Sequence, residues 1–202
     1  MTVFSDTDLA VFESLKEECL DIFQTRPTVN VSEIALEMMS REDVPMHFPF
    51  HHFIIPAAFL TATAVSRGDS RERLADMLET AKERSKNVLG GFCGNYGACG
   101  AGVGAGIFMS VYTESSPVSD RTWAWCNEIT GRCLERIASV PGPRCCKRTA
   151  FLAISEAVPY ANEKLGAAMT YNKEQICTFH ERNRECKGRL CPFFPLKQAE
   201  SK

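Results

Sequence analysis

The sequence predicts a mainly α fold: a single-domain helical bundle with a Gly/Cys-rich loop and an irregular Cys-rich C-terminal segment. Three observations predict it. Apolar residues recur at three- and four-residue spacing over most of the chain. Strand signals are few. Pro and Gly clusters fall between the periodic stretches, where a helix would have to stop. The 202 residues, 45% apolar and 24% charged, suit one domain able to bury a full core without staples. That composition excludes a disordered, collagen-like or coiled-coil chain. The expected organisation is an N-terminal helix within 1–29, a cysteine-rich helical core over 30–194 and a frayed tail over 195–202.

Taken in order, Leu9 to Phe23 reads as a helix, with Phe12, Leu15, Cys19 and Ile22 on one stripe. Asn30 to Met39 reads as a second, capped by Asn30 with Glu33 three residues on. The Pro45-Met46-His47-Phe48-Pro49 stretch breaks the pattern. An apolar helix follows from about His51 to Val65, and Arg67-Gly68-Asp69 is a turn. Ser70 to Asn87 is the clearest amphipathic helix, with Leu74, Met77, Leu78 and Ala81 facing inward. Gly90-Gly91 stops it, and residues 90–106 form the glycine- and cysteine-rich stretch. Ile107 to Tyr112 continues as helix or strand. Pro117 breaks the chain, and Ser119 or Asp120 caps a helix to about Ala138 whose stripe is Trp123, Cys126, Thr130, Cys133 and Ile137. Pro141-Gly142-Pro143 separates it from a helix over Arg144 to Lys164, with Pro159 predicting a kink or an early end. From Tyr171 onward the chain reads as irregular.

Charge and targeting narrow the function classes. A formal net charge of −2 gives no footprint for nucleic acid or a membrane surface. The N-terminus carries no basic and apolar leader, and the longest apolar run, Phe53 to Val65, is too short to span a bilayer. A cytoplasmic location is expected. Thiols there stay reduced, so ten cysteines point to metal, cluster or thiol chemistry rather than a disulfide frame.

The C-terminal segment carries the strongest signal. Cys177, Cys186 and Cys191 lie within fifteen residues, on a stretch too polar to bury them as core. A Cys-Pro pair such as Cys191-Pro192 recurs at the last ligand of bacterial ferredoxin motifs. The intervening lengths of eight and four residues match neither that motif nor a zinc ribbon, so a metal or cluster site is expected without a choice of metal. Three reduced thiols in a loop are the bland alternative. Cys145 and Cys146 open a helix next to Arg144, Lys147 and Arg148. Helix dipole and cationic neighbours are expected to lower the thiol pKa there. Their side chains project about 100° apart, so one is free to face a site while the other packs.

Cys93 and Cys99 flank Gly94-Asn95-Tyr96-Gly97-Ala98. Glycine backbone there, with Gly94, Gly97 and Gly100, is able to turn N–H groups toward a thiolate, a cluster sulfide or an anion. The Gly100-Ala-Gly102-Val-Gly104-Ala105 pattern nominally fits a dinucleotide fingerprint, but no strand precedes it. A glycine-rich helix packed on a neighbour explains Gly102 and Gly106 more simply. His47, His51 and His52 cluster between phenylalanines, as metal ligands, acid–base groups or interface residues. Cys19, Cys126 and Cys133 lie on apolar stripes and are assigned to the core.

The glycine-rich Phe92 to Phe108 stretch, Gly142-Pro143-Arg144-Cys145-Cys146-Lys147-Arg148 and the Cys177, Cys186, Cys191-Pro192 tail together resemble a cysteine-rich prokaryotic family, domain of unknown function number 5714. The resemblance runs from about Asn30 to Phe194. In that family's histidine motif, Met-His-Gly-Pro-Glu-His-His, Phe48 and Phe50 here replace the glycine and the glutamate, leaving three histidines without the carboxylate. Attachment of some relatives to methyltransferase domains implies a methyltransferase or other enzyme as a partner.

The resulting expectation is an iron–sulfur or other metal-thiolate protein with a redox, sulfur-handling or related catalytic role. Metal ligands would come from Cys145, Cys146, Cys177, Cys186, Cys191 and His47, with a [4Fe–4S] cluster favoured and zinc the alternative. Cys93, Cys99, His51 and His52 would form the reactive side, and Gly94, Gly97, Gly100, Arg144 and Arg148 would hold a cofactor or anion. The alternatives are a non-catalytic zinc module docking on an enzyme, and a metal-free thiol redox or persulfide enzyme.

Overall fold

The computed structural model describes residues 4–195. The expected frayed tail after 195 lies outside these residues. Eight α-helices run in order among the described residues: α1 (Asp6–Thr25), α2 (Val31–Ser40), α3 (Phe50–Arg67), α4 (Arg71–Lys86), α5 (Phe92–Asn95), α6 (Gly100–Tyr112), α7 (Arg121–Ala138) and α8 (Cys146–Leu165). Two 3-10 turns, His180–Arg182 and Gly188–Leu190, punctuate the C-terminal segment. No β-strand forms among the described residues; one isolated bridge joins Asn30 to Thr170.

Local chemistry sets the helix ends. Ser5 caps α1 through a capping box with Asp8. The Asn30 side chain accepts from the Ser32 and Glu33 amides and starts α2. Ser70 accepts from Arg73 N–H at the start of α4. Gly68, at φ +68°, closes α3 in the left-handed conformation that glycine adopts without strain.

Helix α3 is the centre of the fold. Every residue from Phe53 to Ala64 is buried, the mark of a core helix. Helices α1, α2, α4 and α6 pack around it, and α6 in turn packs on α7. Pro56 sits inside α3 without breaking it. Its ring nitrogen cannot donate to the His52 carbonyl, and Ser85 Oγ supplies that bond instead at 3.2 Å. Salt bridges from Lys16 and Lys82 to Glu13 and Glu79 tie α1 to α4.

The glycine-rich stretch divides in two. Only its first part is loop and short helix; Gly100 onward belongs to α6. This helix presses against its neighbours where a side chain would not fit. A Cβ on Gly102 would meet Leu134 Cδ2 at 2.8 Å, and one on Gly106 would meet Thr130 Oγ1 at 2.1 Å. Helix packing therefore accounts for both glycines, and no strand precedes them to make a dinucleotide site.

Two expectations are corrected. Helix α8 continues through Pro159 to Leu165. Val158, Tyr160 and Ala161 are buried on both sides of the proline, and this packing offsets the lost bond. On α7, Cys126 and Ile137 pack against the core beside the buried Ile129 and Cys133, and Thr130 faces Gly106 of α6; Trp123 alone leaves the expected stripe, at 51% exposure. Helix α1 joins the same core through its expected stripe, with Phe12, Leu15, Cys19 and Ile22 buried.

Candidate functional site: two adjoining cavities lined by cysteine

Two cavities meet at the N-terminus of α8. The smaller, about 20 Å³, is lined by four cysteines: Cys145 from the start of α8 and Cys177, Cys186 and Cys191 from the C-terminal segment. The larger, about 460 Å³, is lined by His51 and His52 of α3, Cys93, Cys99 and Cys146, and Arg144 on the entry to α8. Cys145 and Arg148 line both and form the wall between them.

The C-terminal segment is pinned in place by backbone and ring contacts. Val31 N–H donates to Thr170 O at 2.9 Å and Cys177 N–H to Phe193 O at 2.7 Å. Phe193 packs edge-on against Phe151 of α8. Lys187 Nζ donates to the Pro141 carbonyl, closing the segment over the α7–α8 connection.

Three of the four sulfurs accept backbone N–H groups. Arg148 N–H reaches Cys145 Sγ at 3.4 Å, Phe179 N–H reaches Cys177 Sγ at 3.3 Å, and Gly188 N–H reaches Cys186 Sγ at 3.4 Å. In the last two, the donor lies two residues after the cysteine, and Gly188 takes φ +57° to turn its amide back. Asn183 Nδ2 donates a second bond to Cys145 Sγ at 3.4 Å. Such bonds stabilise sulfur as thiolate. Among the described residues no Asp or Glu lines this cavity, but His180 does, with its Nδ1 buried and unpartnered, so the potential donors are four sulfurs and one imidazole. Among the described residues, no three His, Cys, Asp or Glu side chains close into the arrangement of a bound single ion.

The expected lowering of the helix-start thiols is reversed. Burial pushes Cys145 above the ordinary thiol value, against the Arg148 amide and guanidinium, which pull it down. Cys146 is pushed up to about 12 by burial, with Cys99, Cys145 and Cys93 adding repulsion. In the metal-free chain, desolvation outweighs the helix dipole at both positions.

The histidines take different places. His51 is buried, and its Nδ1–H donates to Phe48 O at 2.9 Å. Burial holds this imidazole well below the ordinary histidine range, so it is neutral. Nε2 then carries a lone pair, and it is buried with no partner. His52 Nδ1–H donates to Val88 O at 2.8 Å, and burial lowers its pKa as well. Gly100 lies against this ring; a Cβ there would fall 2.0 Å from His52 Cδ2. Gly100 thus makes room for the imidazole, and it lines the larger cavity at the start of α6. His47 lines neither cavity. Its Nε2–H donates to Asn183 Oδ1 and Glu185 Oε2, both at 3.2 Å, and it reaches the sulfurs only through Asn183.

Two residues that sequence reasoning passed over support the wall. Asn183, in a polar tail, links His47 to Cys145. Lys147, expected only as a cationic neighbour of the helix-start thiols, is fully buried. Its Nζ donates to Met39 O at 2.8 Å and lies 4.8 Å over the Phe179 ring. Burial lowers its pKa to about 8. Arg148 is likewise buried, donating through Nη2 to Pro143 O at 2.6 Å, while Arg144 is exposed.

All ten cysteines are free thiols. Among the described residues no helix is long and apolar enough to cross a membrane. The model of a family described as a family of unknown function, DUF5714, matches residues 17–194, which reaches back into α1. No curated protein and no solved structure shows a significant match to the chain.

Proposed function

We propose that this chain, which belongs to the DUF5714 family, is a metal-thiolate protein whose centre is held by Cys145, Cys177, Cys186 and Cys191 and whose adjoining cavity is the place of reaction. One observation carries the reading: four cysteines, brought together from two distant segments, line one cavity and leave no carboxylate among them. Thiols gathered this way repel one another once ionised. A bound cation removes that repulsion, and amide N–H groups on three of the sulfurs reduce it further.

An iron–sulfur cluster is our first choice. Its iron atoms would meet four thiolates at separate corners, and four cysteines line this one cavity. A cluster would supply electron transfer or sulfur chemistry when bound. The chain's own residues would hold it, exclude water with Phe151, Phe179 and Phe193, and present the larger cavity across the Cys145–Arg148 wall. The cavity's small size favours the second reading, a single zinc ion. Reduced cytoplasmic thiols suit both.

Anaerobic purification followed by metal and acid-labile sulfide analysis tests the proposal. About four iron and four sulfide per chain, with a brown colour, supports the cluster. One zinc in a colourless protein supports the single ion. Protein with neither metal, after reconstitution with each has been tried, overturns both.

A further inference from the structure

We infer that the larger cavity binds a small organic anion carrying a neutral O–H or S–H group. This rests on the reading above and names the ligand class of the same site.

Two buried polar atoms at this cavity lack partners. His51 is 2% exposed, and its Nδ1–H is committed to Phe48 O. The opposite edge of the ring, with Nε2, is the part left to face the cavity it lines. A neutral imidazole nitrogen with a lone pair asks for a donor. Arg148 is 4% exposed; its Nη2 is committed to Pro143 O, and its Nε–H has no acceptor. A buried polar group left without a partner destabilises the fold, so each marks where a ligand atom would gain most.

Apart from Cys145, a thiolate when it holds a metal, the charged groups lining the cavity are cationic. Arg148 lines the wall and the exposed Arg144 the rim; Glu185 acts on Arg144 only at a distance. Among the described residues no Asp or Glu lines the cavity, so an ammonium group finds no carboxylate partner. Leu134, Ile137, Ala138 and Val140 make one part of the wall apolar, beside the thiols of Cys93, Cys99 and Cys146. A volume of about 460 Å³ falls in the range of small-molecule sites. The pattern calls for an anionic end toward the arginines, a short apolar body and a neutral donor toward His51. Because the donor is either a hydroxyl or a thiol, the class covers hydroxy acids and mercapto acids alike.

Ligand-observed NMR titration of the full chain, as purified anaerobically, with 3-mercaptopropionate, 3-hydroxypropionate, propionate and cysteamine separates the terms. We expect the mercapto or the hydroxy acid to bind about tenfold more tightly than propionate, which lacks the donor, and cysteamine, a cation, to bind more weakly still. Which acid leads identifies the donor. Arg144→Gln, a surface change, should weaken both acids about tenfold. His51→Phe, checked for helical circular dichroism, should erase the advantage over propionate. Equal binding of all three acids, cysteamine binding as tightly as they do, or an unchanged affinity in Arg144→Gln overturns the inference. Metal content measured on the same samples keeps the two readings apart. Metal without acid selectivity sinks this inference alone, and selectivity without metal sinks the metal-thiolate reading alone.

Discussion

Asn183 Nδ2 donates to Cys145 Sγ at 3.4 Å, and the same side chain accepts the Nε2–H of His47 at 3.2 Å. The amide thus orients a sulfur from one side and is itself held from the other. Groups in this position around a metal change its affinity about 10–100-fold when removed. Asn183→Ala is predicted to weaken metal retention within that range, measured by chelator competition, with little change in helix content. His47→Ala should give a smaller effect in the same direction. Retention equal to the parent in both variants would show that the amide plays no part.

Gly100 and Gly106 make a contrasting pair. A methyl at Gly100 would overlap the His52 ring, which is fixed by its bond to Val88 O. A methyl at Gly106 would meet the Thr130 hydroxyl, which donates to Cys126 O at 2.8 Å and would give way by a turn of one torsion at the loss of that bond. Gly100→Ala is therefore predicted to cost about 1–3 kcal/mol in urea unfolding despite the gain in helix propensity, and Gly106→Ala clearly less. Comparable midpoints for the two variants would contradict the contact with His52.

Lys147 replaces a hydrophobic residue's place in the core but bonds two carbonyls, Met39 O at 2.8 Å and Pro45 O at 3.4 Å. Truncation leaves these carbonyls unmet and opens a cavity. Lys147→Ala is predicted to cost about 3–5 kcal/mol, and Lys147→Met less because it keeps the packing. Guanidinium unfolding at fixed pH gives both numbers. A cost below about 0.5 kcal/mol, the range of surface substitutions, would mean that the side chain leaves the core.

The paired histidines set a pH dependence. Burial lowers the folded-state pKa of both His51 and His52 below the ordinary value of 6.5. As pH falls through 6.5 the unfolded chain takes up protons that the folded chain refuses. Their contribution is thus complete above about 6.5 and declines below it, by up to about 1.4 kcal/mol per pH unit for each histidine. Unfolding free energy measured between pH 7.5 and 5 should fall on the acid side, and His51→Phe should flatten the slope. An identical slope in that variant would remove His51 as its source.

Much of this arrangement is legible in the sequence, because period and caps are local properties. Asn30, Ser70 and the Leu74–Met77–Leu78–Ala81 face act within one helix, and each stands where the pattern puts it. The grouping of Cys93 and Cys99 with His51 and His52 was also readable, since glycines on that stretch signalled close approach. What was hidden depends on tertiary neighbours. Nothing local says that Lys147 and Arg148 point inward, that burial outweighs the helix dipole at Cys146, or that packing carries α8 past Pro159. Asn183 was invisible because an asparagine in a polar tail has no periodicity to betray a buried partner.

The assignment of Cys145, Cys177, Cys186 and Cys191 to one centre is tested most directly by metal content in four single cysteine-to-serine variants, purified anaerobically beside Cys126→Ser. Cys126 lines neither cavity and serves as the control. Loss of most bound metal in each of the four, with the parent's content retained in Cys126→Ser, is the predicted result. Full metal content in Cys177→Ser, Cys186→Ser and Cys191→Ser together would contradict the account.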